Sequence, residues 1–178
     1  MGIASAYIPE KLFVGILFHD EQKKEKAIEI LKKRFGPVDY ITDVKDFSVF
    51  SPYYDQEMGG HVFRCFVSFR DLIDPSRLAE IKTWTNTIEA GWALSPYART
   101  VNLDPGLISA GRVALATTKN SGHRVALASG IYVEITLFYA KKDYHPLPWT
   151  YPDFQDDFVK QTLLDMRRVY MQQLKNEN

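Results

Sequence analysis

A chain of 178 residues with 22 basic and 22 acidic side chains carries no formal net charge, and this balance excludes a non-specific nucleic-acid binder, which needs a basic excess. An apolar fraction of 46% and a charged fraction of 25% are those of an ordinary globular protein, and the length suits one domain, residues 1–178, around one core. The single cysteine, Cys65, excludes an internal disulfide framework and a cysteine-rich zinc site; the opening Met1-Gly2-Ile3-Ala4-Ser5-Ala6 is not a signal peptide, and no apolar run reaches the roughly 18 residues of a membrane helix, so the expected setting is cytoplasmic with no membrane partner.

The compact apolar run Lys11 to Phe18 predicts a buried strand. Asp20 then fits an N-cap, with Ala27, Ile30, Leu31 and Phe35 following at helical spacing until Gly36-Pro37 stops the helix. Val38 to Val49 is mixed and contains a strand; Pro52-Tyr53-Tyr54-Asp55 and Gly59-Gly60 read as loop. Val62 to Phe69 is a strong strand, with Phe63, Cys65, Val67 and Phe69 on one face and Val62, Arg64, Phe66 and Ser68 on the other.

Asp74-Pro75 opens a second helix, whose apolar stripe is Leu78, Ile81, Thr85, Ile88 and Trp92, and Ser95-Pro96 marks its end. Lys82, Asn86 and Glu89 form a polar row on that helix, read first as a solvated face with an internal ion pair and alternatively as a pocket wall. Arg99 to Leu103 predicts a short strand turned by Asp104-Pro105-Gly106, and Leu107 to Thr117 a short helix. A hairpin follows, His123 to Ala128 and Ile131 to Tyr139 around Ser129-Gly130, with Ile131, Val133, Ile135 and Leu137 on one face. Pro146 to Pro152 is an extended loop, and a final helix from Asp153 buries Val159, Leu163, Met166 and Tyr170. The order predicts an α+β fold: a split βαβ (ferredoxin-like) sheet extended by a C-terminal hairpin and a closing helix.

Two nucleotide motifs fail on their chemistry. Gly106-Leu107-Ile108-Ser109-Ala110-Gly111-Arg112-Val113 has P-loop glycine spacing but neither the Lys nor the Ser/Thr that contact phosphate and magnesium. Thr118-Lys119-Asn120-Ser121 resembles a guanine-reading motif, with Ser121 where the base-gripping Asp belongs. It also follows too soon after the first motif to leave room for a GTPase fold.

What remains is a polar cluster. Thr117-Thr118-Lys119 and His123-Arg124 supply hydroxyls, an ammonium, an imidazole and a guanidinium, a set that binds phosphate or carboxylate; the competing reading is a solvated loop. Glu134 lies inside an apolar strand and must face solvent or find a partner such as Arg124. His123 is the candidate general acid or base, with Asp104 or Glu134 to orient it, in competition with a structural role. The histidines show no metal-ligand spacing, so no metal site is assigned. Asp153, Asp156 and Asp157 read as helix-start caps rather than as catalytic carboxylates. The Pro146 to Pro152 loop reads as a strap over the core, and alternatively as a pocket wall or a partner contact.

Val101-Asn102-Leu103-Asp104-Pro105-Gly106, Leu115-Ala116-Thr117-Thr118-Lys119, His123-Arg124, Gly130-Ile131-Tyr132-Val133-Glu134 and Trp149-Thr150-Tyr151-Pro152-Asp153 occur in that order. Together they resemble an uncharacterised prokaryotic family, domain of unknown function 4416, over nearly the whole chain. The resemblance implies no activity, substrate or cofactor. Some members of that family carry a GTP-binding label, which the two failed motifs argue against here. The family pattern has Asp after Thr-Thr-Lys where this chain has Asn120, which favours a binding or structural role at that position. The expectation is a cytoplasmic protein with a polar pocket for a small anionic ligand, a phosphate ester or nucleotide-like molecule, formed by Asp104, Thr118, Lys119, His123, Arg124 and Glu134. The alternative is a non-enzymatic interaction module using the Pro-Trp-Tyr loop. Enzymatic activity, the cofactor and homo-oligomerisation are left open.

Overall fold

The computed structural model describes residues 2–95 and 98–176; Pro96, expected at a helix end, lies outside them. The chain begins with β1 (Lys11–Phe18), buried along its whole length, and α1 (Glu21–Phe35). The Asp20 carboxylate accepts from the Gln22 N–H at 2.8 Å and caps α1; Gly36, at φ 88°, ends it. Then come β2 (Val38–Ile41), β3 (Lys45–Asp46), α2 (Tyr53–Met58) and β4 (Phe63–Phe69). A 3₁₀ turn at Pro75–Arg77, capped by Asp74, leads into α3 (Leu78–Trp92). The strands β5 (Val101–Ile108), β6 (Arg112–Thr117), β7 (Val125–Ala126), β8 (Tyr132–Ala140) and β9 (Asp143–Pro146) follow. A second 3₁₀ turn, Pro152–Gln155, precedes α4 (Asp157–Asn176).

The strands form one sheet in the order β2-β4-β1-β5-β6-β8-β7, with β3 beside β4 and β9 beside β8, and the pairs are antiparallel. This is an α+β fold. One face carries α1 and α3: Leu31, Phe35, Leu78 and Ile81 pack on Val14, Ile16, Val67 and Leu103. The other face carries α4, where Val159, Leu163, Met166 and Tyr170 meet Phe13, Phe66, Val113 and Leu137. A smaller cluster of Leu17, Phe47, Met58 and Val62 seats α2. The far end of α4 is held to the sheet by Lys11, a wholly buried lysine that donates to Asp39 at 2.6 Å, to Gln173 at 2.9 Å and to the Phe69 carbonyl at 3.0 Å. Burial lowers the Lys11 pKa, and Asp39 opposes that fall.

The structure corrects the sequence reading in four places. Leu107 to Thr117 is not a helix, and Asp104-Pro105-Gly106 is not a turn: β5 runs straight through them and forms a hairpin with β6. Proline is tolerated there because β6 has left the ladder beside it, so no partner awaits the missing N–H. Pro52-Tyr53-Tyr54-Asp55 leads into and begins a short helix rather than a loop. The even alternation along 131–138 fails at a β-bulge. Ala114 faces Ile135 and Val113 faces Leu137, which leaves Thr136 as the extra residue. Ile131 and Val133 therefore pack towards α1 and α3, whereas Leu137 packs towards α4. Finally, the closing helix starts at Asp157 instead of Asp153, although the four residues expected in its buried stripe are all there.

The glycines of the failed P-loop motif now have separate explanations. A Cβ on Gly106 would lie 2.5 Å from the Phe13 ring and 2.8 Å from the Ala114 carbonyl oxygen, whereas one on Gly111 meets nothing within 4 Å. Gly106→Ala is expected to destabilise by about 1–3 kcal/mol through overpacking. Gly111→Ala should stay within about 0.5 kcal/mol. Urea unfolding of the two variants distinguishes close packing from a phosphate loop, which would need both glycines.

Candidate functional site

The site originates in a break in the sheet. The β5–β6 ladder holds only Gly106↔Leu115, Leu107↔Ala114 and Ile108↔Val113, and beyond it the strands separate. Peptide groups exposed by such a separation need other partners. At Leu103 two side chains of α3 supply them: the N–H donates to Glu89 Oε1 at 2.9 Å, and the carbonyl accepts from Lys82 Nζ at 2.8 Å. The wedge between the strands is a cavity of about 420 Å³, within the size range of small-molecule sites. Phe47, Phe50, Tyr53 and Tyr54, from the α2 segment, give it an aromatic wall. Tyr151 to Phe154 close another side, and Thr117, Thr118 and Lys119 continue β6 along it.

Its polar wall is a connected network. Arg99 donates to both oxygens of Glu57, at 2.5 and 3.0 Å, to Glu89 at 3.0 Å and to Asn102 Oδ1 at 2.5 Å. The Asn102 amide donates to Asp104 Oδ2 at 2.6 Å. Lys82 Nζ lies 3.6 Å from Glu89 and 3.5 Å from Asp104. Burial raises the Glu89 carboxyl, and the charge of Asp104 pushes the same way against Lys82, the Leu103 N–H and Arg99. Burial alone would lower Arg99, but its hydrogen bond to Glu57 and the charge of Glu89 more than reverse this. The Asp104 side chain is 32% exposed, against 7% for Glu89, so Asp104 is the more open of these two carboxylates.

The second charged element is Arg64 on β4. Its side chain is 7% exposed and ion-pairs with Asp153. The guanidinium lies among the rings of Phe66, Phe154 and Phe47, at 4.5, 4.9 and 5.2 Å from their centroids. Its Nε has no hydrogen-bond partner. Burial pulls the Arg64 pKa down to about 10, opposed by the charges of Asp104 and Tyr54. The Tyr54 hydroxyl is pushed up by burial and then by Asp104. An unsatisfied buried donor costs about 1–3 kcal/mol, so one on a cavity wall is a mark of function.

Of the residues expected from sequence, Asp104, Thr118, Lys119 and Glu134 line the cavity, whereas His123 and Arg124 do not. These two stand behind Glu134 as its partners. Arg124 Nε donates to Glu134 Oε2 at 2.7 Å, and His123 Nε2 lies 3.4 Å from the same oxygen. Arg124 also donates to the Tyr151 hydroxyl at 2.7 Å and to the Lys119 carbonyl at 2.9 Å. Burial alone would lower its pKa, but the Glu134 and Tyr151 hydrogen bonds raise it. The His123 ring stacks on Trp149 with centroids 5.0 Å apart.

The Pro146 to Pro152 segment is a strap, and the bulge in β8 secures it. The Ile135 carbonyl accepts from Trp149 Nε1 at 2.8 Å, and the Thr136 carbonyl from the Thr150 hydroxyl at 2.5 Å. The strap also forms a wall, because Tyr151 and Pro152 line the cavity.

Two bland readings are overturned. The Lys82, Asn86 and Glu89 row is a cavity wall, not a solvated face. Asp153 is a buried ion-pair partner, whereas Asp156 does cap α4, accepting from the Phe158 N–H at 2.9 Å. Arg64, Asn102, Arg99 and Tyr54 were missed. Arg64 had a signal, a charge inside an apolar strand, the same signal that singled out Glu134. Asn102 had a weaker one, as a polar residue between Val101 and Leu103. Arg99 and Tyr54 reach the cavity only through tertiary placement. Among the described residues no three His, Cys, Asp or Glu side chains converge to hold a metal ion, and no helix is long and apolar enough to cross a membrane.

The chain belongs to the family described as Domain of unknown function (DUF4416), whose model matches residues 8–170. No curated protein and no solved structure matches it.

Two stability measurements test the site. Asp153→Ala strands the Arg64 charge and should cost about 3–5 kcal/mol. Asp157→Ala, at a side chain that is 96% exposed, should stay within about 0.5 kcal/mol. Glu89 sets a pH dependence. Its raised pKa means that the folded chain keeps a proton which the unfolded chain has released, so its contribution to stability is complete below the ordinary glutamate range and is lost as pH rises through the raised value. The stability of the wild type relative to Glu89→Gln should therefore fall with increasing pH across that window. A pH-independent difference in urea titrations would contradict the burial assigned to Glu89.

Proposed function

We propose that the cavity binds a small anionic ligand with a planar body, a phosphate ester or nucleotide-like molecule. The observation that carries the reading is a formed cavity with an aromatic wall, lined also by the cations Arg64 and Lys119. Lys119 sits at the exposed side, and among the described residues its ammonium has no ion-pair partner; Thr118 adds a hydroxyl beside it. Phosphate and carboxylate are the groups such donors bind. Phe50, Tyr53 and Tyr54 offer stacking surfaces for a ring. Asp104 presents an acceptor to the ligand's polar groups, and Glu134, fixed from behind by Arg124 and His123, forms part of the wall.

The interaction-module alternative is less well supported. Trp149 is stacked and hydrogen-bonded, and the Tyr151 hydroxyl is held by Arg124, so the strap's side chains are already engaged. Binding is better supported than turnover, because His123 does not line the cavity. The strand order β2-β4-β1-β5, with α1 and α3 on one face, favours a ferredoxin-like core for the binding scaffold. We read the setting as the prokaryotic cytoplasm.

A thermal-shift screen with inorganic phosphate, phenyl phosphate, adenosine monophosphate and benzoate tests the proposal. A binder at one hundred times its dissociation constant should stabilise by about 2.7 kcal/mol. Lys119→Ala should weaken that binder by about tenfold or more, the size of one charge-assisted hydrogen bond, and leave the ligand-free melting temperature unchanged. A panel without any shift, or a shift that Lys119→Ala leaves intact, overturns the reading.

A further inference from the structure

Asp104 is the least compensated acid on the polar wall, and it faces the cavity. Three carboxylates, Glu57, Glu89 and Asp104, share two cations, Lys82 and Arg99. Arg99 is committed to Glu57 through two hydrogen bonds and to Glu89 through a third. The shortest bond of Lys82, at 2.8 Å, goes to a backbone carbonyl, and both its carboxylate contacts are at 3.5 Å or longer. Asp104 is therefore left with a long contact to Lys82 and a neutral amide, that of Asn102 at 2.6 Å. Arg64 acts on it electrostatically but is ion-paired with Asp153.

Arg64 supplies an independent observation at the same cavity. It lines the same cavity, its side chain is more than nine-tenths buried, and its Nε lacks a partner. A partly desolvated carboxylate whose nearest cation is a shared lysine at 3.5 Å is incompletely compensated and favours a further cation from the ligand. Lys119, with no carboxylate against it, draws an anion.

We propose that the ligand is dipolar, with a protonated amine held by Asp104 and a carboxylate or phosphate held by Lys119, on an aromatic frame. This rests on the anion-binding reading above and narrows it to small zwitterions of the aromatic amino-acid or aminoalkyl aryl phosphate class. Asp104 is then the residue that sets specificity. Asn102 fixes its carboxylate through one oxygen, and the carboxylate rejects ligands that bring a second negative charge to its end of the cavity.

Matched probes measured by calorimetry and thermal shift test this. Phenylalanine and tyramine phosphate carry both charges. 3-Phenylpropionate and 4-ethylphenyl phosphate carry only the anion, phenethylamine only the amine, and N-acetylphenylalanine has its amine neutralised. In the wild type, a zwitterion should bind at least tenfold more tightly than its anion-only counterpart, and N-acetylation should remove that advantage. Asp104→Asn should erase the zwitterion's advantage over its anion-only counterpart; the wild-type comparisons stand even if this variant folds poorly. Equal binding of zwitterion and anion-only probes overturns the dipolar ligand and leaves the anion reading intact. Binding of phenethylamine alone, or of none of the probes, overturns both.

Discussion

The peptide group of Leu103 is the point on which the site depends. In a continuous sheet its N–H and carbonyl would pair with β6; here Glu89 and Lys82 take both. Those side chains are the condition for β5 and β6 to part, since an unpaired buried peptide is destabilising. Pro105 makes the same break easier, because it has no N–H to pair. The separation creates the cavity, and the side chains that compensate for it form its polar wall. Scaffold and site are therefore one set of interactions.

This arrangement transmits outward through charges. Glu89 is held by Arg99, and Arg99 by Glu57 on α2. The helix that presents Tyr53 and Tyr54 to the cavity is thus tied to the strand it covers. On the other side, Asp153 ties the segment after the strap to Arg64 on β4. The β8 bulge performs a third fastening by leaving two consecutive carbonyls, of Ile135 and Thr136, free to accept from Trp149 and Thr150. The cavity's walls are held by polar contacts that bury charge, rather than by apolar packing alone. Such contacts add little to stability, so their concentration around one cavity points to a role beyond holding the fold together.

Local signals were legible in the sequence wherever a single element decides its own conformation. Asp20 and Asp74 cap where their positions predict, the faces of β4 follow strict alternation, and the buried stripe of α4 is as expected. The errors fall where tertiary partners override local preference. Asp104-Pro105-Gly106 carries strong turn chemistry, yet the strand continues because the β5–β6 ladder stops short of Pro105, whose missing N–H leaves no bond unmade, and Gly106 clears Phe13. The single extra residue at Thr136 reverses every later face assignment in β8, and no residue type announces it. In the site, Glu134 and its partner Arg124 could be anticipated because a charge in an apolar strand demands compensation. The same argument holds for Arg64, a second charge inside an apolar strand, which lines the cavity.

The sequence cluster and the cavity overlap for a physical reason and differ for one too. Thr117, Thr118 and Lys119 extend β6 past the last pair of its ladder, so the parting of the strands carries them to the cavity. His123 and Arg124 come after a further turn and return along β8, where Glu134 takes them. A buried carboxylate binds its neighbouring cations more strongly than a solvent-facing cavity can hold them free. Proximity in sequence therefore brought the basic groups together, and the burial of Glu134 divided them into Lys119, which lines the cavity, and His123 and Arg124, which hold the wall. The division leaves Lys119 as the cation without a carboxylate, on the same cavity as the incompletely compensated Asp104, and that asymmetry gives the cavity its polarity.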